Sequence, residues 1–371
     1  MTRIILLDLD GVLIQPGGYR AALRATVQHF IGPLPDIHDE MLVDLENRGI
    51  TSEWDMSPLI IAAYWEDILS RQPMSGLPSD VSTAANEINN RSTVEAPTHL
   101  EVPEIPLVAD QYPSESAFHA GCFPSIPDEL RKNLLTGTRD IHHSHTMQIF
   151  QQFALGSQTF TETYHIPAKV DSESFLLTHD KSNIDGEIRS ALRRAGHYLA
   201  GFTSRPSAPP REIVDSNSGY APEAELALKL AGLTDIPLIA FGKLEYLARQ
   251  YDLDPATLVK PSPVHALAGI LAAWSGNEWL SLQAASHWRE TGSLNGAFRQ
   301  LPKAFELIVL EDTMAGIRSV RSAGEVLRQS GYDVYFRPLG MTSTNPGKAS
   351  AFEQAGVQYH QDWKSLVQEL S

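Results

Sequence analysis

The sequence predicts an α/β protein, with βαβ units around a parallel sheet and a long, mainly helical stretch between its first strand and the rest. Three observations carry this. An apolar run, RIILLDL (3–9), starts almost at the first residue and is too short for a helix, so it reads as a buried parallel strand. Strand-like and helix-like segments alternate through the last third of the chain. Between these regions apolar residues recur at helical spacing, with no strand intervening.

In chain order, Gly11 follows two aspartates and turns the chain out of the first strand. Stretches 19–31, 37–48 and 52–70 then read as amphipathic helices. From 72 to 127 the pattern dissolves: eight prolines fall there and Arg91 is its only Lys or Arg, which reads as a Pro-rich loop. That composition predicts a segment dispensable for folding and the first to be cut by a protease. Helical signal returns at 127–135, 144–154 and 183–195. HYLAGFTS (197–204), IPLIAFG (236–242), ELIVLED (306–312), VYFRPL (334–339) and VQYH (357–360) read as strands. Helices are expected at 221–233, 243–251 and 279–288, with Trp279 and Trp288 buried in the last.

At 371 residues the chain is long enough for two or three folding units, at about 150 residues each. Its 42% hydrophobic and 20% charged residues are ordinary for a globular protein. A net charge of −16 argues against nucleic acid and membrane surfaces as partners. No stretch approaches the roughly 18 apolar residues of a membrane span, and MTRIILLDLDG is neither signal nor transit peptide, so a cytoplasmic location is expected. One cysteine, Cys122, agrees with a reducing compartment and excludes a multi-thiolate zinc site. His142, His143 and His145 form a cluster without the thiolates or HExxH spacing of a zinc centre.

Four segments carry candidate chemistry. Asp8-Leu9-Asp10-Gly11 closes the first strand, where open parallel sheets bind ligands, and two acids so placed call for a cation. Phe202-Thr203-Ser204-Arg205-Pro206 puts two hydroxyls at another strand end. Val259-Lys260-Pro261 presents a lysine, and Leu310-Glu311-Asp312-Thr313 an acidic pair after an apolar run.

In this order the four resemble the haloacid dehalogenase superfamily of phosphohydrolases: DxDG, a Ser or Thr, a Lys and an acidic pair. KPSP and EDTMAGI look like the third and fourth motifs of its beta-phosphoglucomutase and phosphonatase-like branch. The resemblance implies a doubly wound, Rossmann-like core from 1–14 and 183–371, with 15–182 as an inserted, mainly helical cap. It further implies a magnesium-dependent phosphatase acting on a small phosphorylated metabolite through an aspartyl phosphate. Asp8 is then the nucleophile and Asp10 the proton carrier. Thr203, Ser204 and Lys260 bind the phosphoryl oxygens, and Asp8, Asp10 (through its carbonyl), Glu311 and Asp312 hold Mg2+. The four acids are expected to converge.

Three features depart from the branch: a cap about twice the usual length, a long loop from Arg205 to Tyr220, and the 52 positions separating Lys260 from Asp312. The presence of Asp10 disfavours dehalogenation, and QPGGYRAALRA lacks the histidine expected of a mutase. Lys132, Lys169 and Lys181 are available for phosphonatase chemistry, but none has a recognisable context. Phosphotransfer or phosphonate cleavage by the same fold, and a non-catalytic binding or regulatory protein, stay open. Substrate identity and oligomeric state are not written in the sequence.

Overall fold

The N-terminal apolar run forms β1 (Arg3–Leu7), whose side chains alternate between the two faces of a sheet. The computed structural model describes residues 1–32, 37–95, 97, 100–214, 219–343 and 346–370. Parts of the 72–127 stretch, of the Arg205–Tyr220 loop (215–218) and of the GMTSTNPGKAS turn (344–345) lie outside the described residues. The chain divides into two units, Met1–Pro16 with His179–Ser371, and Gly17–Thr178.

The first unit contains a small antiparallel pair, β2 (Ile14–Gln15) and β3 (Lys181–Ser182). Its main sheet adds β4 (His197–Phe202), β5 (Leu238–Ile239), β6 (Ala304–Glu311), β7 (Asp333–Met341) and β8 (Gln358–His360). All pairings in this sheet are parallel, and the order is β5-β4-β1-β6-β7-β8. The chain therefore winds outward in both directions from β1, and the switch point lies at β1 between β4 and β6.

Both faces are covered, which is why the strands read as unbroken apolar runs. Ile4 and Leu6 pack on one side with Phe202, Leu307 and Val309, whereas Ile5 and Leu7 pack on the other with Leu199, Ile308 and Leu310. The first face is covered by the helix Pro263–Ser275, which the sequence reading missed. This helix is buried almost all round, so it has no polar stripe to reveal its period. Gly269 lets it sit close to the sheet, since a Cβ there would meet Leu6 at 3.3 Å. The segment 236–242 also differs from its strand reading: only Leu238–Ile239 pair, and a helix begins at Phe241. Trp279 and Trp288 are half-buried and pack against the core from the helix Glu278–Thr291.

The second unit is helical, and its longest helix, Glu53–Arg71, buries Leu59, Ile60, Ile61, Trp65 and Ile68. The loop reading of 72–127 is corrected here, because Val81–Arg91 and Pro113–His119 are helices. Val81, Ala84, Ala85 and Ile88 are buried at helical spacing, but the Ser, Thr and Asn around them hide the stripe. Asp80 caps this helix by accepting the Thr83 N–H at 2.8 Å. The more irregular 102–103 backbone is also tied down, its carbonyls accepting from Arg48. The expectation that the whole of 72–127 is dispensable is withdrawn with the loop reading. Among the described residues no helix is long and apolar enough to cross a membrane.

Candidate active site

Three neighbouring strand ends meet at the switch point. Asp8 follows β1, its N–H donating to the Leu310 carbonyl of β6 at 3.0 Å, and it is 6% exposed. The turn after it requires Gly11: φ is +74°, and a Cβ would collide with the Asp312 carboxylate. Glu311 ends β6 fully buried, with Asp312 next to it. One oxygen from each of Asp8, Glu311 and Asp312 can lie within 4.8 Å of the others.

Lys260 neutralises part of this charge. Its Nζ donates to Asp8 Oδ1 at 2.8 Å and to Glu311 Oε1, and it sits 4.3 Å above the Phe202 ring. His265 anchors the Lys260 backbone. Its Nδ1 accepts the Lys260 N–H at 3.3 Å and its Nε2 lies 3.0 Å from the Ile239 carbonyl, a pairing that suits the neutral ring with its proton on Nε2. Burial first, and then the Lys260 charge, pull the His265 pKa down to about 3.

Burial raises the Asp8 carboxyl well above its ordinary range; Glu311 and Asp312 add to this, and Lys260 opposes them. For Lys260 burial acts downward, but Asp8 and Glu311 together prevail and push its value up. The two directions are consistent, because one ammonium is shared between two carboxylates in a site that holds three. Asp312 is likewise raised by burial, against the pull of Lys348, whose Nζ bonds its Oδ2.

Glu311 is also held by Thr313, whose N–H and hydroxyl donate to Oε2 at 3.2 and 3.0 Å. The Thr313 hydroxyl oxygen in turn caps the helix Met314–Gln329. Gly316 makes room for this carboxylate, because a Cβ there would fall inside it. Alanine is normally favoured over glycine in a helix by about 0.8–1.0 kcal/mol. Here crowding of about 1–3 kcal/mol should win, so Gly316→Ala is expected to lower the urea midpoint. A higher midpoint would contradict this packing of Glu311.

Thr203 follows β4, is 2% exposed, and its hydroxyl oxygen accepts the Arg205 N–H at 3.3 Å. Ser204 is exposed. The expected convergence of four acids is corrected to three. The Asp10 carboxylate turns to Arg205, which donates from Nε to Oδ2 at 2.7 Å and from Nη2 to Oδ1. Nη2 also reaches Asp180 Oδ2 at 3.0 Å. A guanidinium two residues beyond Thr203 offers Asp10 a planar fork that the carboxylate cluster lacks.

The sequence reading gave no role to Arg205, Asp180, His265 or Lys348. Arg205 stood inside a quoted motif; the other three carry no local signal. The histidine cluster does not assemble into a metal centre: His145 bonds Ser82 at 2.9 Å and approaches Asp80 at 3.5 Å. Among the described residues the group suited to a metal ion is Asp8, Glu311 and Asp312.

No protein-family model matches the chain, and comparison with curated proteins gives no match. The chain is similar in fold to an X-ray structure solved as Northeast Structural Genomics Consortium target ZR25. That likeness has a TM-score of 0.62 at 14% identity, over 97% of this chain and 95% of that one. A HAD family hydrolase from Deinococcus radiodurans R1, with bound phosphate and sodium, aligns over 98% of this chain and 92% of its own at 12% identity. Its TM-score of 0.33 carries no argument. The all-parallel strand order with its switch point at β1 is that of a doubly wound, Rossmann-like α/β fold.

Proposed function

We propose that the protein is a magnesium-dependent phosphatase that releases phosphate from a small phosphorylated metabolite through an aspartyl phosphate on Asp8. The observation that carries this reading is the cluster of Asp8, Lys260, Glu311 and Asp312 at the switch point. A carboxylate at a strand end, beside an ammonium that favours its ionised form against burial, suits a nucleophile that needs no separate base.

The donor set fits the metal. Three carboxylates within 4.8 Å are hard oxygen ligands, and their mutual repulsion is the cost that a cation would remove. Asp8 and Asp312 would hold it, with Glu311 beside them and the Asp10 carbonyl as a further ligand. When bound, the divalent ion would offset the charge of the phosphoryl group and of the carboxylates.

The chain's own groups then have these tasks. The Asp8 carboxylate attacks phosphorus, and the bond to the leaving oxygen breaks. Lys260, Thr203 and Ser204 bind phosphoryl oxygens. Water next attacks phosphorus, giving a proton to Asp10, and phosphate leaves as Asp8 regains its carboxylate. Residues 17–178 are the proposed cap, which selects the metabolite, and the setting is cytoplasmic.

Purified protein should release p-nitrophenol from p-nitrophenyl phosphate with magnesium and lose this activity in EDTA. Independently of turnover, magnesium at about 100 times its dissociation constant should add roughly 2.7 kcal/mol of stability. At roughly 2–4 °C per kcal/mol, the melt should rise by several degrees. A melt indifferent to magnesium and EDTA, with no turnover, would sink the proposal.

A further inference from the structure

Lys348 reaches the carboxylates from the helix Pro346–Gln354, which follows β7. Gly340 of β7 lies opposite Glu311 in the sheet, and a Cβ there would strike the Phe352 ring at 2.7 Å. Phe352 is 1% exposed and stacks on Tyr359 of β8, so the helix is seated beside the acidic pair. Lys348 lies one turn before Phe352, on the same side of the helix. Its Nζ accordingly meets Asp312 Oδ2. A packed element, rather than a loose loop, presents this lysine to the site.

Lys260, Arg205 and Lys348 all pair with acids of this region, but they differ in exposure. The Lys260 side chain is 7% exposed and shared by Asp8 and Glu311, and that of Arg205 is 3% exposed and bound to Asp10 and Asp180. The Lys348 side chain, at 35%, is the one of these three that opens to solvent.

An ammonium beside a metal ligand has two electrostatic consequences of opposite sign. It competes for Asp312 with a divalent cation and repels it, which lowers the affinity for the metal alone. It attracts an anion that arrives at the metal, and a flexible four-carbon stem lets it turn from one oxygen to another.

We propose that Lys348 is a further substrate-binding residue: with magnesium on the carboxylates, its ammonium bonds an oxygen of the phosphorylated compound, and it holds the affinity for magnesium alone low. This rests on the phosphatase reading above. The site is then built to fill with metal and phosphate together. A lysine that merely braced Asp312 would act otherwise, since a brace orients the ligand for the metal and does nothing for the anion.

Calorimetric titration of the full chain tests this without turnover, first with magnesium alone and then with inorganic phosphate at magnesium saturating for each variant. Lys348→Met keeps most of the side-chain length and loses the charge. It should bind magnesium about tenfold or more tightly than the wild type, and phosphate about tenfold or more weakly. Lys348→Arg, which retains the charge, should restore the low magnesium affinity.

Magnesium binding that is unchanged or weaker in Lys348→Met, or phosphate binding that is unchanged, would overturn the inference. Tight magnesium binding by Lys348→Arg would do so too, because charge would not be the cause. A wild type that binds neither magnesium nor phosphate would overturn the phosphatase reading itself, and this inference with it. If Lys348→Met does not fold, Lys348→Gln carries the same measurements.

Discussion

Asp8→Asn is expected to lose turnover by about 10⁴-fold or more, because it removes the nucleophile. It should also melt at a higher temperature than the wild type when no metal is present. The sign follows from the raised Asp8 carboxyl. A group whose folded pKa lies above its unfolded value contributes stability that is complete below the unfolded value, near 3.8, and is lost as pH rises through the folded value. Above its folded value the ionised Asp8 therefore destabilises the fold, and asparagine removes that charge while Lys260 keeps Glu311 as a partner. Activity and stability should move in opposite directions. Thermal melts in EDTA beside steady-state rates check both; a variant that loses activity only because it unfolds would contradict the assignment.

Lys260→Met should have the larger effect on stability. The substitution leaves Asp8 and Glu311 buried without their shared ammonium, and breaking buried pairs in this way costs about 3–5 kcal/mol. The melt should fall by on the order of 10 °C, and turnover should be lost with the phosphoryl contact. The penalty also has a pH signature. Without Lys260 the Asp8 carboxyl rises further, so the difference from wild type should shrink as pH falls toward 3.8.

His265 acts in the opposite sense. Its folded pKa is lowered to about 3, so its contribution is complete above its ordinary 6.5 and is lost as pH falls toward 3. Variant and wild type must therefore be compared at each pH. A penalty that grows on acidification would contradict the role given to Lys260.

Much of this site could be read before the fold was known, because its groups lie at ends of strands with strong patterns of their own. RIILLDL and ELIVLED mark β1 and β6 as buried on both faces, which places Asp8 and the Glu311–Asp312 pair at one edge of a sheet. What stayed hidden depends on approach through space. Asp10 and Arg205 are 195 positions apart, and nothing near either predicts the fork between them. Lys348 and His265 acquire meaning only through Asp312 and Lys260.

Composition misled in two places for a similar reason. The helix Val81–Arg91 packs through a narrow stripe in a polar segment, and Pro263–Ser275 has no exposed face from which to read a period. In the first case tertiary burial, rather than helix propensity, holds the element; in the second the alanines and leucines favour a helix, but burial on all sides leaves no polar face to mark it.

The covalent step on Asp8 can be tested directly by quenching Asp10→Asn protein in acid while it processes p-nitrophenyl phosphate, then mapping the modified peptide. Without a base to activate water, the aspartyl phosphate should persist. The expected result is a phosphoryl group on Asp8, formed only with substrate and absent from the Asp8→Asn variant. Hydrolysis by the wild type with no phosphoryl group ever found on Asp8, together with an Asp8→Asn variant that keeps the wild-type rate, would contradict it.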